Sequence, residues 1–331
     1  MIEVYGIGAL NLDFIYEVDR YDDIDVPGLA LTGGAEIVGG VDMLRAFTDA
    51  IGHAGTLRKV SPGGSASNTC HALARMGHRV GLVGVIGRDV QGDTCLKEAD
   101  TEGVDTEGVV RKGRTGLAYI VNSGQVDRSI VLFPEGAGDL LYEEVDRERL
   151  ARARWVHMTS FVSPASRETQ LRVKGDLVGR VPFSIDPGEI YAAMGRDIHP
   201  LIAGSEILFT SRREIETLFG CDRDRAIEKA LCLTKIVVLK EGKDGASLFM
   251  EGSSCAVAAG RVHVVDNTGA GDVLNGVFLG LHLRGVDGAV ALRIAVAAAT
   301  ASVTGYGRDA YPDRQAIEVL YEDMLVHDGK G

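Results

Sequence analysis

The sequence has few cysteines, no excess of positive charge and no long apolar run, and each shortage removes a class of protein. The five cysteines (Cys70, Cys95, Cys221, Cys232, Cys255) are scattered through 331 residues without a C-x-x-C pair. No zinc or dithiol redox centre is expected from such spacing, and the five read as reduced thiols. None of the eight histidines forms H-E-x-x-H or pairs with a nearby cysteine into a zinc-ligand cluster. A net charge of −12 disfavours a broad electrostatic surface for nucleic acid or anionic membrane, which leaves a small molecule as the expected partner. No apolar run reaches membrane-spanning length, and Ile2 to Gly6 lack the basic start and apolar core of a signal peptide. A soluble cytoplasmic protein is the expectation. The P-loop signature G-x-x-x-x-G-K-[ST] is also missing. A dinucleotide-binding reading of Gly6-Ile7-Gly8 fails because Asn11 stands where the third glycine belongs and no helix follows.

What the chain does have is glycine, 43 residues of it, much of it paired or clustered between apolar runs. Such clusters mark places where the backbone turns sharply or a ligand approaches closely. The apolar runs read as strands over residues 3–7, 80–86, 117–121, 129–133, 155–158, 183–185, 207–209 and 236–239. From about residue 145 they alternate with helical patterns over 165–178, 213–219 and 225–232 and with two long helices near the end. That alternation predicts a mostly parallel sheet covered on both faces. Residues 13–48 and 112–135 break the rhythm with alternating patterns such as Leu117-Ala118-Tyr119-Ile120-Val121. They read as a small β lid on an α/β core made of residues 1–12, 49–111 and 136–331, the plainer alternative being edge strands of one sheet. Asp328-Gly329-Lys330-Gly331 reads as a frayed tail.

The chemistry concentrates in Asp266-Asn267-Thr268-Gly269-Ala270-Gly271-Asp272. Apolar residues at 273, 274, 277, 278 and 281 predict a helix, so Gly269-Ala270-Gly271 is the turn into its N-terminus. Small residues, unpaired N–H groups and the helix dipole make such a turn an anion site. A carboxylate placed there, Asp272, repels the group that the turn attracts. The conflict resolves if Asp272 takes the proton of an attacking hydroxyl while the N–H groups hold a phosphoryl group in transfer. The plain alternative is an Asp cap on an ordinary helix.

This segment resembles the signature of the ribokinase/PfkB family of carbohydrate and nucleoside kinases, and the resemblance runs through most of the chain in order. Asn11-Leu12-Asp13 is similar to the family's N-x-D, Pro62-Gly63-Gly64-Ser65-Ala66-Ser67-Asn68 to its first signature, and Gly87-Arg88-Asp89-Val90-Gln91-Gly92 to its G-x-D-x-x-G turn. The resemblance implies a ribokinase-like three-layer α/β/α fold with a β-sheet lid. It implies substrate binding by Asn11, Asp13, Gly63, Gly64 and Asn68. Nucleotide contacts fall to Ser211, Lys240, Gly242, Gly245 and Thr268, with a second wall from residues 289–304 and Gly305-Tyr306-Gly307. It further implies ATP and Mg2+ as cofactors, with Glu214 organising the metal through water, and a monovalent cation such as K+ near Asp266. Asp272 becomes the catalytic base, with Gly269, Ala270 and Gly271 as the anion hole.

Two departures stand out. The family's N-x-x-E is Ser211-Arg212-Arg213-Glu214 here, which exchanges an amide for a shorter hydroxyl and bears on phosphate and metal affinity. The stretch from Val26 to Val60, with a helix-like Asp42 to Ala50, is longer than the compact pattern, suited to a bulkier substrate or a dimer contact. The expected function is phosphorylation of a small sugar. A nucleoside kinase is the nearest alternative, and a sugar- or nucleoside-binding regulator that has lost transfer is the further one. A neutral acceptor is favoured over a sugar phosphate, because Arg114 and Arg128 are separated and read as surface charges. An exposed lid with an apolar face is expected to pair two copies into a homodimer.

Overall fold

The computed structural model describes residues 1–124, 128–134 and 138–328. The tail from 329 onward, lid residues 125–127 and 135, and core residues 136–137 lie outside the described residues. Along the first half run β1 (Val4–Ile7), β2 (Asn11–Val18), β3 (Glu36–Val38), α1 (Val41–Ala54), β4 (Gly55–Gly63), α2 (Ser65–Arg75), β5 (Val80–Ile86), α3 (Val90–Thr101), β6 (Asp105–Arg111), β7 (Gly116–Asn122) and β8 (Ser129–Phe133). There follow α4 (Arg147–Leu150), β9 (Trp155–Thr159), α5 (Pro164–Leu177), β10 (Phe183–Asp186), α6 (Gly188–Ala192), α7 (His199–Ile202), β11 (Ser205–Ser211), α8 (Arg212–Phe219), α9 (Arg223–Leu231) and β12 (Thr234–Lys240). The chain closes with β13 (Ala246–Met250), β14 (Ser253–Val257), α10 (Ala270–Leu283), α11 (Gly288–Ser302) and α12 (Arg314–Asp328).

Nine strands form one sheet in the order β14-β13-β12-β11-β10-β9-β1-β5-β6, parallel except at the β12-β13-β14 edge. Alternation along the inner strands divides their side chains between two cores, as the two-residue period of a strand requires. Val4, Trp155, Ile207, Phe209 and Val238 pack on one face against α2, α10 and α11. Tyr5, Ile7, Val156, Met158, Leu208, Val237 and Leu239 pack on the other against α5, α8 and α9. A sheet buried on both faces leaves its C-terminal edge as the place where loops from many strands converge, and the site lies there.

A second sheet of five strands, β3-β8-β7-β2-β4, stands over that edge. Here too alternation assigns the faces. Tyr119, Val121, Val131 and Phe133 meet Phe47 and Ile51 of α1, whereas Ile15, Ala118 and Ile120 form a separate apolar face on the opposite side. The long stretch before residue 60 is thereby explained locally: α1 is the cover for the outer face of the second sheet. Strand β4 was not legible as a strand, because Thr56-Leu57-Arg58-Lys59 is charged and exposed and shows no apolar alternation. It nonetheless pairs with β2 from Gly63 opposite Asn11 to Gly55 opposite Val18, so residues 55–63, expected in the core, belong to the second sheet.

Phe47 is fully buried and touches Tyr119 and Phe133 at ring distances of 5.2 and 5.7 Å. Phe47→Ala should destabilise this cluster by about 3–5 kcal/mol. Hydrogen exchange should then show β7 and β8 losing protection while β5 and β9 keep theirs. Uniform loss across both sheets would mean that the second sheet does not open as its own unit.

Candidate active site

Gly269 turns the chain into α10 with φ of +75°, a conformation that side chains with a Cβ avoid. Space excludes one as well, since an added Cβ would lie 1.9 Å from the Tyr311 hydroxyl. The helix that follows carries Asp272 in its first turn, 8% exposed. Its Oδ2 accepts a 2.8 Å hydrogen bond from Asn68 Nδ2 on α2. Burial pushes the Asp272 carboxyl up to about 6, and the nearby charge of Asp186 adds to this. Asn68, Lys240 and Ser65 work in the opposite direction. A carboxylate with that environment ionises near neutrality, which suits a general base.

One cleft opens on Asp272 between the two sheets. Asn11, Asp13, Gly64, Asn68, Thr268 and Gly269 line it beside the base, and Ala118, Ile120, Ile130 and Leu132 of the second sheet line the facing side. Asp13 is buried and accepts from Asn11 Nδ2 at 3.0 Å. Burial drives its carboxyl up to about 7, against the pull of Asn11 and Arg308. Gly63 does not line the cleft but lies behind it, where a Cβ would stand 2.0 Å from Asp13 Oδ1. Its role in the geometry is to let the carboxylate lie flat on the turn.

A second cleft of about 700 Å³ opens on the other side of the same turn, lined by Lys240, Gly242, Gly245, Ala270 and Gly271 and by Val296, Ala299, Thr300 and Val303 of α11. That volume falls in the range of roughly 300–1,000 Å³ typical of small-molecule sites. Thr268, Gly269 and Asp272 border the first cleft and Asn267, Ala270 and Gly271 the second, so the two clefts meet at this turn.

Several expected residues fall elsewhere. Thr268 faces the first cleft, not the second, and its N–H and hydroxyl both donate to Asp266, at 3.0 and 2.6 Å. Asp266 also accepts from Gly307 N at 3.1 Å, so its carboxylate braces the turn. Gly305-Tyr306-Gly307 is not part of the second cleft's lining; Tyr306 packs on Ile15, Ala118 and Ile120 instead. Ser211 and Glu214 line neither cleft. They cap α8 reciprocally, Glu214 N donating to Ser211 Oγ and Ser211 N to Glu214 Oε2. Burial raises the Glu214 carboxyl above the usual range. Arg128, read from sequence as a surface charge, lines both clefts.

Sequence reasoning missed Asp186 and Asn275. Asp186 ends β10, accepts from Lys240 Nζ at 2.5 Å and from Asn275 Nδ2 at 2.6 Å, and is 5% exposed. Burial opposes both charges, but each partner outweighs it: Asp186 is held below and Lys240 above its ordinary range. The available signal was position, since a carboxylate that closes a buried parallel strand is delivered to the edge where sites form.

Two clefts meeting at a helix N-terminus beside a buried carboxylate are an arrangement suited to phosphoryl transfer to an alcohol. The chain belongs to the pfkB family of carbohydrate kinases, whose model matches residues 38–314. It is 31% identical to the 2-dehydro-3-deoxygluconokinase of Thermoproteus tenax over 78% of this chain and 84% of that one. It is 28% identical to the ATP-dependent ribose-1-phosphate kinase of Halopiger xanaduensis over 98% of this chain and 100% of that one. Among solved structures, the adenosine kinase of Sinorhizobium meliloti shares the fold, with a TM-score of 0.85 and 20% identity, covering 98% of this chain and 99% of that chain. The protein is a kinase with an alcohol acceptor.

Gly269→Ala should cut kcat by at least roughly tenfold, because a displaced turn misaims the N–H donors. Adding Tyr311→Phe removes the hydroxyl that the new Cβ meets and should recover part of the loss. A single variant with full activity would show that the turn's geometry is dispensable.

Proposed function

We propose that this kinase moves the γ-phosphoryl group of ATP to a hydroxyl of a small sugar held in the cleft between the sheets. The observation that carries the reading is the buried Asp272 in the turn separating the two clefts. The sugar's hydroxyls pair with Asp13, Asn11 and Asn68, while Gly64 lets the ligand approach the backbone. Asp272 accepts the proton of the reacting hydroxyl, and the hydroxyl's oxygen bonds to the γ-phosphorus as the bond to the bridging oxygen of ADP breaks. The N–H groups of the Gly269-Ala270-Gly271 turn and the Lys240 charge stabilise the transferring group. Gly242 and Gly245 shape the nucleotide cleft.

The residues fit a Mg2+ ion held mainly by phosphate and water. Among the described residues no three carboxylate, histidine or cysteine groups gather into a protein cage. Glu214 is crowded by Asp186 and Glu189, and Asn275 Oδ1 is buried without a partner beside Asp186. Glu214 would hold the ion through water, and the ion would offset charge on the phosphates. A monovalent cation near Asp266 would share that carboxylate with Thr268 and Gly307, which already donate to it.

The acceptor is read as a pentose-sized sugar. Similarity over the whole length to a ribose-1-phosphate kinase, together with Arg128 on the cleft wall, brings phosphorylated pentoses into consideration alongside neutral ones. A nucleoside is the second reading, favoured by the apolar wall of Ile120, Ile130, Leu132 and Phe161. Pairing of two copies through the second sheet is also proposed, on the exposed Leu57 and Val60 of β4. Sedimentation should then show a dimer that Leu57→Asp dissociates, and a monomeric wild type would end that proposal.

ADP release from ATP-Mg should be stimulated by one class in a panel of pentoses, hexoses, sugar phosphates and nucleosides. Asp272→Ala should reduce that turnover by on the order of a hundredfold or more with nucleotide binding kept. Because the base must be ionised and its carboxyl is raised, kcat/KM should fall as pH drops through about 6. Binding without turnover would favour a regulator, and full activity of the variant would remove Asp272 as base.

A further inference from the structure

Arg308 follows α11, lies 5% exposed and lines neither cleft described above. Its guanidinium Nε donates to Asn68 Oδ1 at 3.0 Å and its Nη2 to Ser67 Oγ at 2.7 Å, both in the first turn of α2. Its Nη1 meets Glu98 Oε1 of α3 at 3.1 Å. An arginine carries donors only and stays charged. The end of the Asn68 amide that faces it must therefore be the carbonyl. The other end, Nδ2, is thereby turned to Asp272 Oδ2 at 2.8 Å.

We propose that Arg308 is a positioning residue for phosphoryl transfer: by holding the Asn68 carbonyl it keeps the Asn68 N–H donated to the Asp272 carboxylate, so that the base waits ionised beside the acceptor. This rests on the reading of Asp272 as the base. Without the guanidinium the amide is free to turn its oxygen toward the carboxylate, which disfavours the ionised form. The groups facing Asp272 are Asp186 of β10, Lys240 of β12, Ser65 and Asn68 of α2, Asp13 of β2 and Tyr311. Arg308 hydrogen-bonds to Asn68 among them, and its charge also acts on Asp13 and Tyr311 at longer range. A variant that keeps the charge but loses the fork separates these effects, and Arg308→Lys is that variant.

The test measures kcat/KM for the stimulating acceptor against pH, on the full chain, for Arg308→Met, Arg308→Lys, Asn68→Ala and the double variant Arg308→Met/Asn68→Ala, with melting temperatures alongside. Both arginine variants should move the acidic limb to higher pH by about one unit, a roughly tenfold loss on that limb with little change at alkaline pH. In the Asn68→Ala background Arg308→Met should add nothing to the shift. A lowered melting temperature with the limb unmoved would reduce Arg308 to a staple between α2 and the turn after α11, and additive shifts would overturn the route through Asn68. If Arg308→Met does not fold, the limb of Arg308→Lys decides alone. Undiminished turnover in Asp272→Ala would instead remove the base on which the inference rests.

Discussion

A carboxylate buried at the positive end of a helix is the constraint around which the rest of the site is arranged. The N-terminus of α10 attracts anions, and Asp272 occupies its first turn, where an ionised side chain and an incoming phosphate compete for the same field. Burial lifts its carboxyl from 3.8 to about 6. At neutral pH the folded chain thus carries an ionised group at a cost of roughly 3 kcal/mol. Under the proposed function that ionised form is the one that accepts a proton. Asn68 and Lys240 limit it, and Asp186 fixes Lys240 in turn.

The two sheets supply what a single strand of side chains does not. Parallel strands with one core on each face fix the C-terminal edge as a rigid rim, from which β10 projects Asp186 and β12 projects Lys240. The second sheet, with its own small core under α1, brings Asp13 on β2 against the Gly63-Gly64 turn. Asp13 reaches the cleft from β2 of the second sheet and Asn68 from α2, which packs on the first, so the two come together only while both layers are in place. Leu12 of β2 packs into the core of the first sheet, and Phe14 and Leu117 touch both cores, so the two layers are joined by apolar contacts beside the cleft.

Legibility in the sequence followed local physics. Strands buried on both faces, such as Val80 to Ile86, are continuous apolar runs and were placed to the residue, and the helix after Gly269 was visible from its apolar stripe. Strand β4 was not, since it lies at the edge of its sheet with charged residues exposed, and neither was the β13-β14 hairpin, whose outer strand is largely polar. The glycine turn and Asp272 could be argued from the conflict of charges they create. Asp186 could be suspected only from its place at the end of a buried strand, and Asn275 and Arg308 not at all, because nothing adjacent in sequence shows their partners, which lie 89 and 240 residues away.

The replacement of an amide by Ser211 also becomes intelligible once its surroundings are known. A serine at a helix N-cap accepts from the third N–H of the helix, and Glu214 returns the bond to the Ser211 N–H, so the pair terminates β11 and starts α8 within one turn. That reciprocal cap fixes the direction of Glu214 at the strand edge, close to the charges of Lys240 and Asp186. The hydroxyl therefore gives up a contact that an amide would offer to a phosphate or a metal-bound water and gains rigidity of the neighbouring carboxylate. On the neighbouring strand, Lys240 lies against Gly271 of the turn. Among the described residues, Lys240, held by Asp186, is one of four cationic side chains along the second cleft, with Arg128, Lys243 and Arg261.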